Sequence, residues 1–375
     1  MSVSERIRKE VLDKLVNDVN RRMKKLSAGR VVNGHAGLTP RFELYHCSLS
    51  LCSHKVRAVL AEKGEPYTSH AMSIMPAGNL IPQNYRPEYV RLRLLGQERP
   101  HFVSGYTGVS SVEQEGFDPC VVPTLVDHKE GRIVIDSKRI CEYIDENADQ
   151  GEALIPAELK DAVEEQLVLV DRAPHVALLY GAHPKEDRRP AGLAGNIKGV
   201  HARKIRCLRG LLDHIGSNEP ELRAAYEAKI AKESAAGAFM LNDAQMIAAH
   251  QQGQAHVRDL EAQLEKSGGP WVCGDRYTMA DIVWTVSLYR LQWLGNEQFW
   301  GAETGLTLVP EYYTRASERP SFRAGVRDWK YSHGPSPYVP EMATGGAKFA
   351  FLMHTLRETS LKEAIFGSDI RLPKQ

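Results

Sequence analysis

Residues 47–53, with the sequence CSLSLCS, place two cysteines and three serines in one short turn. A cysteine reacts as its thiolate, and a helix N-terminus favours that anion through unpaired amide groups and the positive end of the helix dipole. We therefore expect Cys52, near the start of a helix, to have a lowered pKa. The hydroxyl of Ser50 would hold the sulfur anion of a ligand beside it. Two plainer interpretations stay open: Ser50 only caps the helix, and Cys52 is only a small buried residue.

The neighbouring sequence predicts the elements that hold this turn. Residues 42–46 alternate apolar and polar side chains, which is typical of a half-buried strand. Val56, Val59 and Leu60 recur at helical spacing, and Gly64 is a common helix end. The pattern predicts a strand, the turn rich in serine and cysteine, and a helix.

A second polar position precedes another predicted helix. Ser137 is placed to cap this helix, and its hydroxyl with free amide groups would form a carboxylate site. The adjacent Asp136 could receive an ammonium group. Pro123 opens a predicted strand, and a cis bond after Val122 would expose nearby backbone groups to a ligand. A ligand with an α-amino group, a carboxylate and a thiol would fit both positions, although Ser137 alone is more often only a cap.

Composition restricts the class of protein. The chain has 375 residues, enough for two domains, and its 42% apolar content suffices for ordinary cores. The formal charge of +1 does not indicate nucleic-acid binding. Because no long apolar run and no secretory signal are present, we expect a cytoplasmic protein that does not cross a membrane. The six scattered cysteines do not indicate a disulfide scaffold, and the spacing of His46, Cys47, Cys52 and His54 matches no common metal site.

The pattern divides the chain into four parts. Residues 1–38 form a separate arm with an amphipathic helix, and residues 39–150 alternate strands and helices around an insertion at about 76–119. Residues 151–335 carry helical spacing, and residues 336–375 form a C-terminal extension. The apolar stripe of the arm consists of Ile7, Val11, Leu15, Val19 and Met23. This order predicts an α/β domain followed by an all-helical domain.

Two local signals support that division. Residues 121–127 and 132–135 are strand-like runs joined by a glycine-containing turn, which predicts a hairpin. Thr278 and Asp281 precede a long apolar run with the spacing of a capping box. The hairpin belongs to the first predicted domain and the capping box to the second.

Three windows, SLSLCSHKVRAVLAEKG, VVPTLVDHKEGRIVIDSKRICEYID and YTMADIVWTVSLYRL, carry a resemblance to a known family. They resemble the glutathione transferase superfamily, most closely its zeta-like branch of reductive dehalogenases acting on 2,5-dichlorohydroquinone and tetrachlorohydroquinone. The resemblance covers about residues 41–330. It implies a thioredoxin-like glutathione-binding domain and an all-helical substrate domain. It also implies glutathione as co-substrate, a small aromatic substrate, no metal and a homodimer.

The resemblance also implies roles for single residues. Cys52 matches the redox cysteine of this branch, and Ser50 matches the serine that supports the glutathione thiolate. In the helical half, the segment HVALLYGAHP offers His175, Tyr180 and His183 as contacts for a phenolic substrate, which needs hydrogen bonds and a base near neutral pH. A helix end with surface polar groups is the alternative interpretation of this segment.

The glutathione contacts follow in the same way. Val122 and Pro123 match the cis-proline loop whose backbone pairs with the cysteinyl part of glutathione. Asp136 and Ser137 match the two residues that hold the γ-glutamyl group.

The implied reaction is reductive dehalogenation of a chlorinated hydroquinone. Oxidation or tautomerisation makes a ring carbon electrophilic, glutathione thiolate displaces chloride, and Cys52 attacks the glutathione sulfur to release the product. Three alternatives stay open: a zeta-like cis–trans isomerase of a maleylacetoacetate-type compound, plain conjugation of glutathione, and a non-enzymatic protein with this fold. The insertion is expected to act as a partial lid over the thiol chemistry. Its polar and aromatic residues are Arg91, Arg93, Arg99, His101 and Tyr106.

Overall fold

The computed structural model of the chain covers most of both predicted domains. The predicted extension at 336–375 and Arg99 of the insertion lie outside the described residues. The residues described are 7–23, 29–35, 37–76, 80–96, 101–109, 115–190, 193–195, 199–215 and 217–329.

The first half of the described chain is built on a five-stranded mixed sheet. Its strands are β1 (Arg30–Val32), β2 (Phe42–His46), β3 (Tyr67–Ala71), β4 (Thr124–Asp127) and β5 (Arg132–Ile135). The order across the sheet is β1-β3-β2-β4-β5; β2 and β3 are parallel, and the other neighbours are antiparallel. The predicted strand at 42–46 is present, but all five of its residues are buried, so the expected half-burial is wrong. The predicted hairpin is confirmed, although β4 begins only at Thr124.

Helices cover the sheet and form the second half of the chain. Within the described residues they are α1 (Lys9–Arg22), α2 (Leu51–Lys63), α3 (Pro87–Leu94), α4 (Ser137–Asn147), α5 (Lys160–Asp171), α6 (His175–Tyr180), α7 (Val200–Ile215), α8 (Pro220–Met240), α9 (Asp243–Ser267), α10 (Met279–Trp293), α11 (Leu308–Ser317) and α12 (Pro320–Phe322), with a π-helical turn at Arg323–Arg327. Short 3₁₀ turns lie at Gln83–Tyr85, Ala157–Leu159, Glu297–Trp300 and Ala302–Thr304. This arrangement confirms the predicted α/β thioredoxin-like domain and all-α domain.

Helix α2 connects the two halves. It begins after Ser50 and ends at Gly64, whose φ of 66° is the left-handed value that glycine adopts without steric cost. Val56, Val59 and Leu60 are fully buried, and burial of each such side chain contributes about 1.5–3 kcal/mol. Since α2 packs against α4 on one side and α10 on the other, its first turn is fixed relative to both halves.

The predicted N-terminal arm lies on the sheet. Helix α1 packs against α3, and β1 pairs with β3 at the sheet edge. The buried face of α1 carries Leu12, Val16 and Val19, whereas Val11 of the predicted apolar stripe is 38% exposed. Val19 and Met23 of the predicted stripe are buried, and Ile7 and Leu15 pack against the core. The helix and most of its stripe were therefore predicted correctly, but Val11 is exposed and the burial of Leu12 and Val16 was missed.

The predicted insertion contains regular structure. Helix α3 lies inside it, and Tyr85, Tyr89 and Val90 are buried at or beside that helix. The sequence marks the start of α3 by Pro87, which is well suited to the first turn of a helix. Much of the described insertion is therefore part of the packed domain.

The capping box predicted for the second half is present at the start of α10. The Thr278 amide donates to Asp281 Oδ2 at 2.8 Å, and Asp281 Oδ1 accepts from the Val272 amide at 2.9 Å. Behind this start, Trp284 is fully buried and its Nε1 donates to Gln166 Oε1 at 3.0 Å. None of the helices in the described part of the chain has the length and apolarity needed to span a bilayer.

Candidate active site

The turn between β2 and α2 carries the thiol that the sequence singles out. Ser50 is the N-cap of α2, and its Oγ accepts a hydrogen bond from the Ser53 amide at 3.3 Å. Cys52 lies in the first helical turn, is partly exposed and is not in a disulfide. Both residues line a cleft between the sheet domain and the helical domain. The predicted cap is confirmed, and the thiol is open to a ligand in the cleft.

Two arginines hold the backbone of this turn. Arg57 donates to the carbonyl oxygens of Cys47 and Ser48 at 3.2 and 3.3 Å. Arg290, from the helical domain, donates to the carbonyl oxygen of Leu49 at 2.6 Å. Because charge-assisted hydrogen bonds are stronger than neutral ones, the turn is fixed from both domains.

The pKa of Cys52 reflects competing influences. Burial raises the pKa of the thiol, and the ammonium of Lys55 and the hydroxyl of Ser137 oppose that rise without cancelling it. The expectation that the helix N-terminus leaves this pKa lowered is therefore wrong. Lys55 stays charged because Asp171, 3.1 Å from its Nζ, outweighs the effect of burial and raises the pKa of Lys55. Sequence reasoning missed Lys55, although its position one helical turn after Cys52 was visible.

Side chains of α3 hydrogen-bond to the backbone of the loop before β4. The Val122–Pro123 peptide bond is cis, as the resemblance implies. Arg93 donates to the Pro123 carbonyl oxygen at 2.8 Å, and Tyr89 donates to the carbonyl oxygen of Val121 at 2.9 Å. Both donors belong to α3 and are buried. Arg93, expected in a lid, thus supports the proline loop instead.

The position before α4 differs from its prediction in one respect. Asp136, not Ser137, is the N-cap of α4: Asp136 Oδ1 accepts from the amides of Lys138 and Arg139 at 3.1 and 3.3 Å. Asp136 has a φ of 72°, an unfavourable conformation for a residue with a side chain, as is common at functional sites. The Ser137 hydroxyl is therefore not needed as the cap and interacts with the Cys52 thiol.

The predicted glutathione positions line one cavity. Its volume is about 250 Å³. Ser50, Cys52, Val122, Pro123, Asp136 and Ser137 all line it. Tyr180 and His175 face the same cleft from α6. The structure therefore brings eight of the nine predicted site residues to one place.

His183 is the exception. It lies in a separate depression beside His250, with the two rings 5.1 Å apart, and its Nδ1 accepts from the Lys185 amide. His175 reaches the cleft, but its Nε2 is hydrogen-bonded to Ser287 Oγ at 2.8 Å. Burial, with His256 adding to it, holds the pKa of His175 well below the usual range. His175 is thus poorly suited to the predicted role of a base near neutral pH.

Charged residues that sequence reasoning missed line the cleft on the helical side. Lys204 of α7 lies 3.3 Å from the Tyr180 hydroxyl and 3.3 Å from Glu233 of α8. Glu233 also accepts from His201 at 2.8 Å and pairs with Lys229 at 3.1 Å. We call Tyr180, Lys204 and Glu233 the α6–α8 wall. No local pattern marks this wall, because its members are brought together only by the packing of three helices.

The histidines that flank the reactive turn have other partners. His46 Nε2 is 2.8 Å from Ser69 Oγ, and His54 Nε2 donates to the Ser48 carbonyl oxygen at 2.8 Å. Over the described ranges, no group of three or more His, Cys, Asp or Glu side chains is arranged to hold a metal ion.

Comparison with known proteins relates this chain to a protein family. The model of the glutathione S-transferase N-terminal domain matches residues 49–147, and that of the C-terminal domain matches residues 234–324. The 2,5-dichlorohydroquinone reductive dechlorinase of Sphingobium indicum is 46% identical over 308 residues, which cover 81% of this chain and 87% of that protein. The tetrachloro-p-hydroquinone reductive dehalogenase of Sphingobium chlorophenolicum is 27% identical, covering 78% and 98%. Among solved structures, glutathione S-transferase III in its apo form is 17% identical with a TM-score of 0.47, covering 80% and 100%. The two family models and the 46% identical relative show that the chain is an enzyme of the glutathione S-transferase family.

Proposed function

We propose that this chain removes chloride reductively from a chlorinated hydroquinone, with glutathione as the reductant. The observation that carries the proposal is Cys52, partly exposed beside Ser50 and Ser137 in the cleft. The 46% identity to a protein named 2,5-dichlorohydroquinone reductive dechlorinase supports it. Residues 39–150 bind glutathione and residues 151–335 supply the substrate contacts, in a homodimer.

Glutathione occupies the wall of the cleft formed by the sheet domain. Its γ-glutamyl carboxylate binds at the hydroxyl and main-chain amide of Ser137, and its ammonium group binds at the carboxylate of Asp136. Its cysteinyl backbone pairs with the main chain of Val122 beside the cis-proline. This places the glutathione thiol at the Ser50 hydroxyl, which donates a hydrogen bond to the thiolate.

Glutathione performs the first substitution. An electron-rich hydroquinone resists attack, so the substrate first tautomerises: one hydroxyl proton is lost, and a proton is added at the carbon that carries chlorine. Glutathione thiolate then forms a C–S bond at that carbon, and chloride leaves with the C–Cl bonding electrons. The oxidation state of the sulfur has not yet changed.

Cys52 performs the reduction. Its thiolate attacks the glutathione sulfur, an S–S bond forms, and the C–S electrons return to the ring as the hydroquinone phenolate, which takes a proton. A second glutathione then releases Cys52 as oxidised glutathione forms. The net reaction consumes two thiols and releases one chloride. Lys55 favours the Cys52 thiolate needed for this step.

The proposal is tested by measuring chloride and oxidised glutathione together. Purified protein, 2,5-dichlorohydroquinone and glutathione should release chloride and oxidised glutathione in equal amounts. Chloride without oxidised glutathione would indicate plain conjugation instead. No chloride, with isomerisation of a maleylacetoacetate-type compound, would indicate the isomerase.

A further inference from the structure

Two hydrogen-bond donors whose present contacts are long or weak lie side by side in the α6–α8 wall. Lys204 Nζ lies 3.3 Å from the Tyr180 oxygen and 4.4 Å from the centre of its ring. The Tyr180 hydroxyl itself donates to Met75 Sδ at 3.7 Å, and a thioether is a weak acceptor. Both groups line the cleft that contains Cys52. A stronger acceptor in the cleft would therefore be favoured by both donors.

The positive charge of Lys204 is only partly balanced. Its contacts with the two oxygens of Glu233 are long, at 3.3 and 3.4 Å. Glu233 is shared with Lys229 at 3.1 Å and with His201 at 2.8 Å. Burial acts to lower the pKa of Lys204, but Glu233 and Tyr180 outweigh it and the pKa is raised. Lys204 thus remains an ammonium ion that shares its counter-ion.

We propose that Lys204 and Tyr180 form a subsite for one ring oxygen of a phenolic substrate, bound as the phenolate. Both groups donate to that oxygen, and the ammonium charge favours its anionic form. The proposal rests on the proposed function for the identity of the substrate. Within that function, the subsite favours the first step, the tautomerisation of the hydroquinone. A ring carbon of a phenolate is more readily protonated than a ring carbon of the neutral phenol. That tautomerisation loses one proton at oxygen, gains one at carbon and changes no oxidation state.

The subsite also predicts which substrates depend on Lys204 and Tyr180. An electrophile without oxygen atoms, such as benzyl chloride, offers Lys204 and Tyr180 no acceptor oxygen and develops no anionic oxygen in its reaction. A hydroquinone gains a charge-assisted hydrogen bond. Loss of Lys204 should therefore affect hydroquinone turnover and leave glutathione binding unchanged.

Binding of 4-nitrophenol measures the subsite without any turnover. This phenol changes its absorbance on ionisation, so its spectrum in the cleft reports the fraction bound as phenolate. In the presence of saturating glutathione, the wild-type protein should bind it mainly as phenolate, and Lys204→Met should weaken that binding about tenfold or more. Lys204→Arg, which keeps the charge, should retain most of it, and Tyr180→Phe should lose about threefold to tenfold.

Lys232→Met is the matched control. Lys232 lines the same cleft, but it contacts two carboxylates, those of Asp118 and Glu115, at 3.3 and 3.5 Å. Lys204, in contrast, shares the carboxylate of Glu233 with Lys229 and His201. If Lys232→Met weakened nitrophenolate binding as much as Lys204→Met, general charge would explain the effect and the subsite would be refuted. Wild-type affinity in a folded Lys204→Met protein, verified by circular dichroism, would refute it as well.

Kinetics separate the subsite from the proposed function. Lys204→Met should lower kcat/KM for 2,5-dichlorohydroquinone about tenfold or more and leave conjugation of benzyl chloride within about twofold. A wild-type protein that released no chloride but bound nitrophenolate through Lys204 would support the subsite and refute the proposed function. Wild-type dechlorination that was unaffected by Lys204→Met would do the reverse.

Discussion

Replacing Lys55 with glutamine tests how the reactive thiol is ionised. Lys55 and Cys52 lie one helical turn apart, and we take about 6 Å, close to the Cβ spacing of such neighbours, as the separation of the thiolate and the ammonium. Two unit charges about 6 Å apart interact by about 2.8 kcal/mol at an effective dielectric constant near 20, which corresponds to about two pH units. Partial exposure of Cys52 reduces this, so we expect Lys55→Gln to raise the pKa of the thiol by about one unit.

The assay is the pH dependence of alkylation by iodoacetamide, with the modified peptide that contains Cys52 quantified by mass spectrometry. Only the thiolate reacts, so a higher thiol pKa moves the rate profile to higher pH and lowers the rate at neutral pH about tenfold. Asp171→Asn should instead lower the pKa of the Cys52 thiol and move the rate profile to lower pH, because Asp171 acts to raise that pKa. An alkylation profile that did not move, or moved to lower pH, in folded Lys55→Gln protein would refute this account of Cys52.

Three further predictions concern the surroundings of the site. Arg93→Lys removes the planar guanidinium that donates to the Pro123 carbonyl oxygen in the cis-proline loop. Steady-state kinetics should show the KM for glutathione raised about tenfold with a smaller change in kcat. An unchanged KM would argue against a role of Arg93 in supporting this loop. Gly151→Ala should lower the free energy of unfolding by about 2–4 kcal/mol in denaturant titrations, because φ is 78° and the added Cβ would lie 2.8 Å from a backbone atom. Gly268→Ala, with φ of 64° but open space around the added Cβ, should lower the free energy of unfolding by only about 1 kcal/mol. Equal losses of stability in the Gly151 and Gly268 variants would contradict the steric argument. Tyr106→Ala removes a ring that lines the cleft and packs with its centroid 5.1 Å from that of Phe239. It should raise the share of glutathionyl adduct released unreduced, as measured by chromatography, and an unchanged product ratio would count against a lid.

The elements at the reactive turn could be predicted because their signals are local. The alternation in β2, the cap at Ser50 and the glycine after α2 all act within a few residues. The cap before α4 was assigned one residue too late, because aspartate and serine are both good caps. The unusual φ of Asp136, which decides between them, has no sequence signal.

The features that were missed depend on contacts distant in sequence. Strand β1 has three residues and is defined only by pairing with β3. The full buried face of α1 is set by its packing against α3, which no periodicity in α1 alone reveals. Lys204 and Glu233 are 29 residues apart on different helices, and charged residues at such spacing are ordinarily solvated. His183 shares a segment with Tyr180, but the chain turns after α6 and directs it elsewhere.

Single turnover of Cys52→Ser most directly tests the claim that Cys52 carries out the reduction. The variant is mixed with glutathione and 2,5-dichlorohydroquinone and quenched, and products are separated by liquid chromatography with mass detection. Cys273→Ser, which alters another partly exposed cysteine that does not line the cleft, is the matched control and should behave as wild type. The account predicts that Cys52→Ser releases one chloride per substrate consumed and accumulates the glutathionyl hydroquinone. Release of dechlorinated hydroquinone by Cys52→Ser at the wild-type rate would contradict it.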